Sequence, residues 1–343
     1  MASLTDIARA ARVSIATVSR VINEPGVVRE DTRSRVRQAI ERLHFQPNRV
    51  ARRLRQRNGR RRLIGLVIPE IGNPHFADIV RGVEDAAYAE KFAVMLCNAD
   101  DNLEKERFYF DILRAESVDG VIVPPIQDSD PVLLEALANK LPLIAIDRRL
   151  KDLSVDSISV DNRHGAEAAV EHLISRGYRS IAHIAGPQLN FTSRERKAAW
   201  SNTLVRHGLK PRKEHIWWGT NQHESGVAGA ESLLSLRNRP RAIFVANNLM
   251  AAGALEVISR RGLKVPDDIA IVGFDDPPWA KWLRPALTTV RQPTHEMGRL
   301  AFSLLLRRLN DPKASVQHIV LPTELMIRES SSRLSGIAVD EVL

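Results

Sequence analysis

The chain has 343 residues, of which 44% are hydrophobic and 27% are charged, as in ordinary globular proteins. This length predicts two or three domains. The single cysteine, Cys97, excludes an intramolecular disulfide and a metal centre built from several thiolates.

The net charge of +9 is concentrated near the amino terminus. Residues 1–62 hold sixteen arginines, no lysine and five acids, so the rest of the chain carries a net charge of −2. A short basic segment on a nearly neutral body indicates binding to phosphate backbones. A merely solvated basic face and an anionic membrane surface are the alternatives. Because we find neither a leader pattern nor an apolar run of about 18 residues, we expect a cytoplasmic protein without membrane association.

The first 46 residues predict a helix-turn-helix. Ser3 and Asp6 can form a capping box, and Ser14 can cap a second helix. We predict helices over residues 3–12, 15–23 and 30–44. Two short helices joined by a tight turn and supported by a third are typical of DNA-binding heads, with an ordinary three-helix bundle as the alternative.

In such a head the start of the second helix enters the major groove. Arg20 can contact guanine O6 and N7 with two hydrogen bonds, whereas Ile15 and Ala16 can offer only apolar contact, for example to a thymine methyl. The DNA-binding residues predicted in the head are Ser14, Ile15, Ala16, Thr17, Ser19, Arg20 and Asn23.

A short basic helix is predicted after the head. Pro47 and Asn48 can begin it, and Leu54 is its exposed apolar residue among arginines. So short a helix is unstable alone, so we expect it to fold against DNA or a second copy of itself. Asn58 and Gly59 indicate a flexible linker.

The runs TDIARAARVSIATVSRVIN and TRSRVRQAIERLHFQPNRVARRL resemble the DNA-binding head and hinge of the lactose/galactose repressor family. The similarity continues to about residue 330. The resemblance implies a homodimer whose hinge helices pair in the minor groove of a palindromic operator, with Asn48, Ala51 and Leu54 at the DNA and Leu54 wedged into a flexible central step. Arg29 departs from the Ser or Thr cap of many relatives.

From Leu63 onward, apolar strands alternate with helices, which is the pattern of parallel sheets. The predicted strands cover residues 63–68, 93–99, 120–125, 141–147, 180–186, 215–218, 242–248, 269–276, 289–291 and 325–328, and the predicted helices cover 75–91, 103–115, 194–207, 224–236, 249–261 and 294–310. The fold class is therefore α/β: an all-α head followed by two doubly wound lobes with a cleft, resembling a type I periplasmic-binding-protein fold.

The predicted domains are a head (1–46), a hinge and linker (47–62), an effector-binding and dimerisation body (63–331) and a tail (332–343). Within the body, the N-lobe comprises about 63–160 and 291–322, and the C-lobe about 161–290 and 323–331. Because the tail has no sustained heptad, we expect a dimer rather than a tetramer.

Ligands of doubly wound sheets bind outside the carboxyl ends of the strands. Polar residues at such ends are Asp100, Asp147, Asn247 and Asp275, and Arg196 can add a fork of donors. Each acid taken alone is better explained as a helix cap or a loop charge. Their recurrence in both halves favours a site for a polyhydroxylated ligand.

The family resemblance implies a fuller set of effector-binding residues, carried by residues 186–200, 245–255 and 272–276. They are Phe76, Asp147, Thr192, Arg196, Asn221, Asn247 and Asp275. Asn221 stands where some relatives place a stacking aromatic residue, and Asn248 where Asp is common. Arg194 permits an anionic effector such as a sugar acid or phosphate, although a solvated helix start is equally consistent.

Catalysis has no support in the sequence, which contains none of the motifs GxGxxG, GxxxxGK, HExxH or GxSxG. His75, His183 and His223 are scattered without metal-ligand spacing. We therefore expect no enzyme activity, cofactor or metal. The leading hypothesis is a dimeric repressor controlled by a sugar, a sugar acid or a related metabolite. A sugar-binding protein of transport or sensing is the alternative.

Overall fold

The computed structural model describes residues 3–23, 25–43, 62–150 and 155–332. The chain forms two compact units, residues 1–61 and 62–343, which are described separately. The predicted hinge and most of the predicted tail lie outside the described residues. No helix in the described ranges is both long and apolar enough to cross a membrane.

The first unit contains the three predicted helices, α1 (Leu4–Ala11), α2 (Ile15–Asn23) and α3 (Glu30–Arg42). Ser3 and Asp6 form the expected capping box of α1. The chain leaves α1 at Arg12, which is left-handed at φ 52°, and this gives the tight turn into α2. Residues Ile7, Ala8, Ala11, Val18, Val21, Val36 and Ala39 form its apolar core. Arg29 provides no side-chain cap for α3.

The second unit contains two six-stranded sheets, one in each lobe. The N-lobe strands are β1 (Leu63–Ile68), β2 (Ala93–Asn98), β3 (Gly120–Val123), β4 (Leu143–Ile146), β5 (Asp156–Val160) and β11 (His318–Leu321), in the spatial order β11-β5-β4-β3-β1-β2. All five strand pairs are parallel. The N-lobe helices are α4 (Pro74–Ala89), α5 (Leu103–Ala115), α6 (Pro131–Ala138) and α11 (Thr294–Asn310).

The C-lobe strands are β6 (Ile181–Ala185), β7 (Ile216–Trp218), β8 (Ala242–Val245), β9 (Ala270–Phe274), β10 (Thr288–Arg291) and β12 (Glu324–Met326), in the order β12-β10-β9-β8-β6-β7. Its helices are α7 (Asn162–Ser175), α8 (Phe191–Arg206), α9 (His223–Leu234) and α10 (Asn248–Arg260). The chain crosses between the lobes after β5, β10 and β11. Its central strands are wholly buried, as expected for parallel sheets covered on both faces.

The structure contains four elements that the sequence pattern did not single out: β5, α6, α7 and β11. β5 is DSISV, whose serines interrupt the apolar run although every residue is buried. Helices α4 and α8 begin earlier than predicted because Asn73 and Asn190 cap them. The last strand was predicted at residues 325–328 but ends at Met326, because the chain then turns so that Arg328 pairs with half-buried Asp276 at 2.7 Å.

Candidate functional site

Helix α2 presents a polar, exposed start. Ser14 accepts a hydrogen bond from the backbone N–H of Thr17 at 3.1 Å and so fixes the beginning of the helix. Ser14, Ile15, Ala16 and Arg20 are exposed, and the Ile15 side chain is 46% exposed. An isoleucine this exposed at a helix start gains nothing from the core, so its position suits contact with a partner.

The remaining predicted DNA-binding residues are only partly described. Thr17 and Ser19 are half-buried beside the exposed residues of α2. The backbone of Asn23 closes α2, but its side chain is not described. Asn48, Ala51 and Leu54 lie outside the described residues. Their roles remain predictions.

All seven predicted effector residues line one cavity between the two lobes. The N-lobe contributes Pro69, Glu70, Asn73, His75, Phe76, Asp101, Asp147 and Arg148, and the C-lobe side contributes Thr192, Arg196, Asn221, Gln222, Asn247, Leu249, Asp275 and Gln292. These residues follow the carboxyl ends of strands in both sheets, which is where the fold places ligands.

Three of these residues have an unusual backbone. Asp147 (φ 65°), Asn221 (φ 69°) and Asp275 (φ 72°) are left-handed. Asp and Asn tolerate this conformation better than most residues, and such strain often marks a functional site. Asp147 follows β4 and Asp275 follows β9, which occupy equivalent places in the two sheet orders. The two carboxylates therefore enter the cavity from matching positions.

His75 joins the two lobes at the cavity wall. Its Nε2 lies 3.0 Å from Asp147 Oδ1 in the N-lobe, and its Nδ1 lies 3.5 Å from Asp275 Oδ1 in the C-lobe. Gln292 donates to the same Asp275 oxygen. Burial opposes protonation of His75, but the two carboxylates outweigh it and raise its pKa. Despite burial, the hydrogen bond to His75 lowers the pKa of Asp147.

Arg196 is held rigidly on the C-lobe side. Its Nε donates to Asn162 Oδ1 at 2.8 Å, and its Nη1 donates to the carbonyl of Ala246. The guanidinium stacks 3.6 Å from the centre of the Phe274 ring. Burial lowers the pKa of Arg196, whereas Asp275 and Asp147 oppose that shift. Because these contacts hold the guanidinium in place, the N–H groups of Arg196 that make no internal hydrogen bond also have a fixed direction.

The other cations near the cavity are paired with carboxylates. Arg148 is buried and binds Asp101 with both terminal nitrogens, at 2.6 and 3.2 Å. Arg194 does not line the cavity and instead donates to Asp128 of the N-lobe. The sequence prediction that Arg194 could serve an anionic effector therefore has no geometric support, because its charge is already balanced.

Further contacts hold the lobes together around the cavity. Asn248 of α10 donates to Asn73 Oδ1 at 2.8 Å, and the Arg149 guanidinium lies 5.7 Å from the centre of the Phe191 ring. The free space inside is about 40 Å³, which suffices for only a few waters. This space is smaller than a sugar, and the interlobe contacts border it.

Sequence reasoning missed several cavity residues, namely His75, Asp101, Arg148, Asn73 and Gln292. Gln292 directly follows β10, so the rule that found Asp275 also applied to it. The rule chose Asp100 after β2, but that side chain pairs with Lys105 and its neighbour Asp101 lines the cavity. His75 gave no signal, because its two carboxylate partners are 72 and 200 residues away in the sequence.

Other singled-out residues are structural. His183 is buried in β6, stacks on Phe244 and Trp200, and contacts the Phe244 carbonyl through Nδ1 at 2.9 Å. His223 pairs with Glu256 on the surface. Within the described ranges, no group of three or more His, Cys, Asp or Glu side chains is arranged to hold a metal ion.

Two family models match separate parts of the chain. Residues 3–48 match bacterial regulatory proteins of the lacI family, and residues 170–331 match a periplasmic binding protein-like domain. The chain is also 33% identical to a ribose operon repressor of Halalkalibacterium halodurans, over 96% of this chain and 97% of that protein. It belongs to the lacI family of bacterial regulatory proteins.

Other members of the lacI family show the same extent of similarity. The repressor PurR of Photobacterium profundum is 33% identical over 98% of this chain and all of its own length. A lac repressor dimer bound to operator and the anti-inducer ONPF superposes with a TM-score of 0.84, at 29% identity and over 96% and 99% of the two chains. A complex of the regulator CelR with cellobiose gives a TM-score of 0.74 at 32% identity, over 96% and 100%. The chain is thus a DNA-binding transcription regulator and not an enzyme.

Proposed function

We propose that this regulator is a cytoplasmic homodimeric repressor whose affinity for a palindromic operator is controlled by a small neutral sugar in the interlobe cavity. The observation that carries this proposal is the convergence of the seven predicted effector residues on one cavity whose walls come from both lobes. Its alternative, a sugar-binding protein of transport, does not account for the basic helix-turn-helix head.

The charges around the cavity favour a neutral effector. Four carboxylates, Glu70, Asp101, Asp147 and Asp275, line it together with two arginines and His75. Arg148 is bound to Asp101, and Arg194 outside the cavity is bound to Asp128. An anionic ligand would meet these carboxylates, and among the lining cations only Arg196 lacks a carboxylate partner within the described residues. Hydroxyl groups can instead donate to these carboxylates and accept from Arg196 and Asn247, which suits a sugar better than a sugar acid.

The polar residue at position 221 favours a small sugar. Asn221 occupies the position where some relatives carry a stacking aromatic residue. The phenyl ring in the lining is that of Phe76, which can cover one apolar face of a sugar. We therefore expect a monosaccharide rather than a nucleobase.

Coupling to DNA follows from the interlobe contacts. A sugar that enters must break or replace the His75–Asp275 and Asn73–Asn248 contacts, so it shifts the lobes toward a different spacing. The effector then changes operator affinity, and operator DNA changes effector affinity by the same factor. In a homodimer this change would alter the spacing of the two hinge segments, including Asn48, Ala51 and Leu54.

The proposal is tested by binding of labelled operator duplex, selected beforehand from a random DNA pool, in the presence of individual sugars and sugar acids. We expect one neutral monosaccharide to change the operator Kd at least about fivefold, the lower end of ordinary allosteric coupling. Asp275→Asn should abolish this response and leave the operator Kd without effector unchanged. The matched control is Asp111→Asn, on the exposed face of α5. A response only to sugar acids, or an unchanged response in Asp275→Asn, would contradict the proposed site.

A further inference from the structure

The C-lobe has a strongly basic edge at the end of its sheet away from the cavity. Four loops lead from helices into strands there: 176–180, 207–215, 235–241 and 261–269. In a parallel sheet such loops all lie at the amino ends of the strands. Together they hold ten Arg or Lys residues and three acids. We call this surface the C-lobe basic edge.

These loops form one continuous surface. Strands β7, β6, β8 and β9 are consecutive neighbours in the sheet, so the edge is about 14 Å wide at the usual strand spacing. Hydrogen bonds join the loops directly. Arg241 N–H donates to the Ser180 carbonyl at 2.9 Å, the Arg241 side chain donates to the Asp267 carbonyl at 2.9 Å, and His215 contacts the Asn238 carbonyl at 3.2 Å.

Most of the cations at this edge are exposed and unpaired. Among the ten, only Arg261 forms an ion pair with another described residue, which is Glu231. The exposed ones without such a partner are Arg179, Lys210, Arg212, Lys213, Arg237, Arg239 and Lys264. This contrasts with Arg148 in the cavity, which is paired with Asp101. Unpaired like charges held close together repel one another, so this surface gains from an anionic partner.

The matching edge of the N-lobe is different. Its helix-to-strand loops, 90–92, 116–119 and 139–142, hold two lysines and three acids. The fold therefore does not require a basic edge, since the same strand order is built without one. The nearly neutral charge of the body as a whole conceals this local excess of positive charge.

The surface chemistry fits a phosphate backbone better than a protein. The specific part of a protein interface has an apolar or aromatic centre. None of the large apolar side chains that are exposed in the described residues lies in these four loops. Duplex DNA carries one charge per about 1.7 Å of its axis when both strands are counted, so a 14 Å length of duplex carries roughly eight phosphates, of which only a part faces the edge. Exposed Arg and Lys without apolar anchors are typical of sequence-independent phosphate contact.

We propose that the C-lobe basic edge is a second, sequence-independent DNA-binding surface, which contacts duplex DNA other than the operator held by the heads. Such a surface would let the bound regulator capture a neighbouring or looped DNA segment. It does not depend on the effector or on the cavity.

The test uses the full chain with its heads saturated by a short, unlabelled operator duplex. Labelled non-operator duplex is then added, and formation of the ternary complex is measured at several salt concentrations. The test variant is Arg212→Gln, Lys213→Gln, Arg237→Gln and Arg239→Gln together. The control variant, Lys91→Gln, Lys140→Gln, Lys281→Gln and Lys313→Gln, removes the same charge from four exposed residues elsewhere that form no ion pair with other described residues.

We expect the unsubstituted chain and the control to form the ternary complex with a steep dependence on salt. The test variant should bind the second duplex at least about tenfold more weakly, with a log–log salt slope reduced by up to about 3.6, since each phosphate that is no longer neutralised accounts for about 0.9. Its operator affinity and thermal unfolding should be unchanged. Absence of a ternary complex, or equal weakening in both variants, would overturn the proposal. Loss of binding to polyglutamate but not to DNA would assign the surface to an acidic protein instead.

Discussion

The N-lobe and the C-lobe have the same strand order but differ in chemistry. Asp147 and Asp275 follow equivalent strands and are both left-handed. Yet the N-lobe contributes the histidine and the C-lobe contributes Arg196, and only the C-lobe has a basic edge. The comparison teaches that topology places side chains at equivalent positions, whereas the residues chosen there give each lobe its own role.

The lobes also differ in which helices pack most closely. In the N-lobe α4 meets α11, and a Cβ at Gly82 would lie 2.0 Å from the His295 carbonyl oxygen. In the C-lobe α9 meets α10, and a Cβ at Gly226 would lie 2.1 Å from the Met250 carbonyl oxygen. A backbone oxygen cannot move aside as a flexible side chain can, so glycine is required at both contacts.

The largest expected effect therefore comes from Gly82→Ala and Gly226→Ala. Each should destabilise the chain by about 3 kcal/mol, because the helices must separate to admit the methyl group. Urea denaturation followed by circular dichroism measures the effect. Gly273→Ala is the control, since its Cβ would meet its nearest neighbour at an ordinary 3.5 Å. An equal destabilisation in the control would show that close packing is not the cause.

A second difference is a buried carboxyl group in the N-lobe. Burial of Glu106 raises its pKa from 4.5 to about 9, and the charge of Asp130 adds to the shift. The folded chain then holds a proton that the unfolded chain releases, so stability falls as pH rises from about 4.5 toward 9. Glu106→Gln should raise the free energy of unfolding by about 3 kcal/mol at pH 7.

The measurement for Glu106 is urea denaturation at several pH values. Glu104→Gln, on an exposed position of the same helix, should leave both stability and its pH dependence unchanged. If Glu106→Gln retains the alkaline decrease in stability, another group is responsible for it.

The C-lobe contains a buried basic group, the imidazole of His183, in contrast to the buried acid Glu106 of the N-lobe. Burial lowers the pKa of His183 from 6.5 to about 4. The unfolded chain then binds a proton that the folded chain excludes. The free energy of unfolding is therefore highest above about pH 6.5 and falls as pH decreases toward 4. The decrease should be about 2 kcal/mol at pH 5. His183→Asn can retain the hydrogen bond to Phe244 and should remove this acid sensitivity, while exposed His164→Asn should not.

The smallest effect concerns His75, which joins the lobes. Burial lowers its pKa and largely offsets the two carboxylates, but they prevail and the pKa is raised. Protonated His75 therefore contributes its full amount to the free energy of unfolding below about pH 6.5. This contribution is lost as pH rises through the raised pKa that His75 has in the folded chain. His75→Gln should remove this component from the dependence of unfolding on pH above about pH 6.5. An unchanged pH profile would indicate that His75 is neutral in the folded chain.

Much of the organisation was predictable from local signals. The capping box at Ser3, the exposed start of α2 and the helices α5 and α11 match the sequence prediction because their caps and apolar periodicity lie within the segments themselves. The strand β5 was missed because its serines interrupt the apolar pattern, although every residue is buried. The strand β11 was missed because it is a short, partly exposed strand at the edge of its sheet, where it pairs with β5 only after the chain has crossed between lobes.

The candidate site was predictable only where a residue directly follows a recognised strand. That rule found Asp147, Asn247 and Asp275, and Arg196 was proposed from its place near the start of the following helix. The family resemblance added Phe76, Thr192 and Asn221. The strand-end rule did not identify His75, because the sequence around a single histidine at a helix start does not indicate which residues it will contact. Nor did it predict that Arg194 pairs across the cleft with Asp128.

By itself, the sequence determined the basic head, the alternation of strands and helices, and the polar residues at the strand ends, because each depends on neighbours within a few positions. Only the tertiary structure decided which charges meet. The His75 bridge between lobes, the pairing of Arg148 with Asp101 and the basic edge of the C-lobe arise when the fold gathers segments far apart in the chain. Charge and burial act through space, so their effects become visible only when those distances are known.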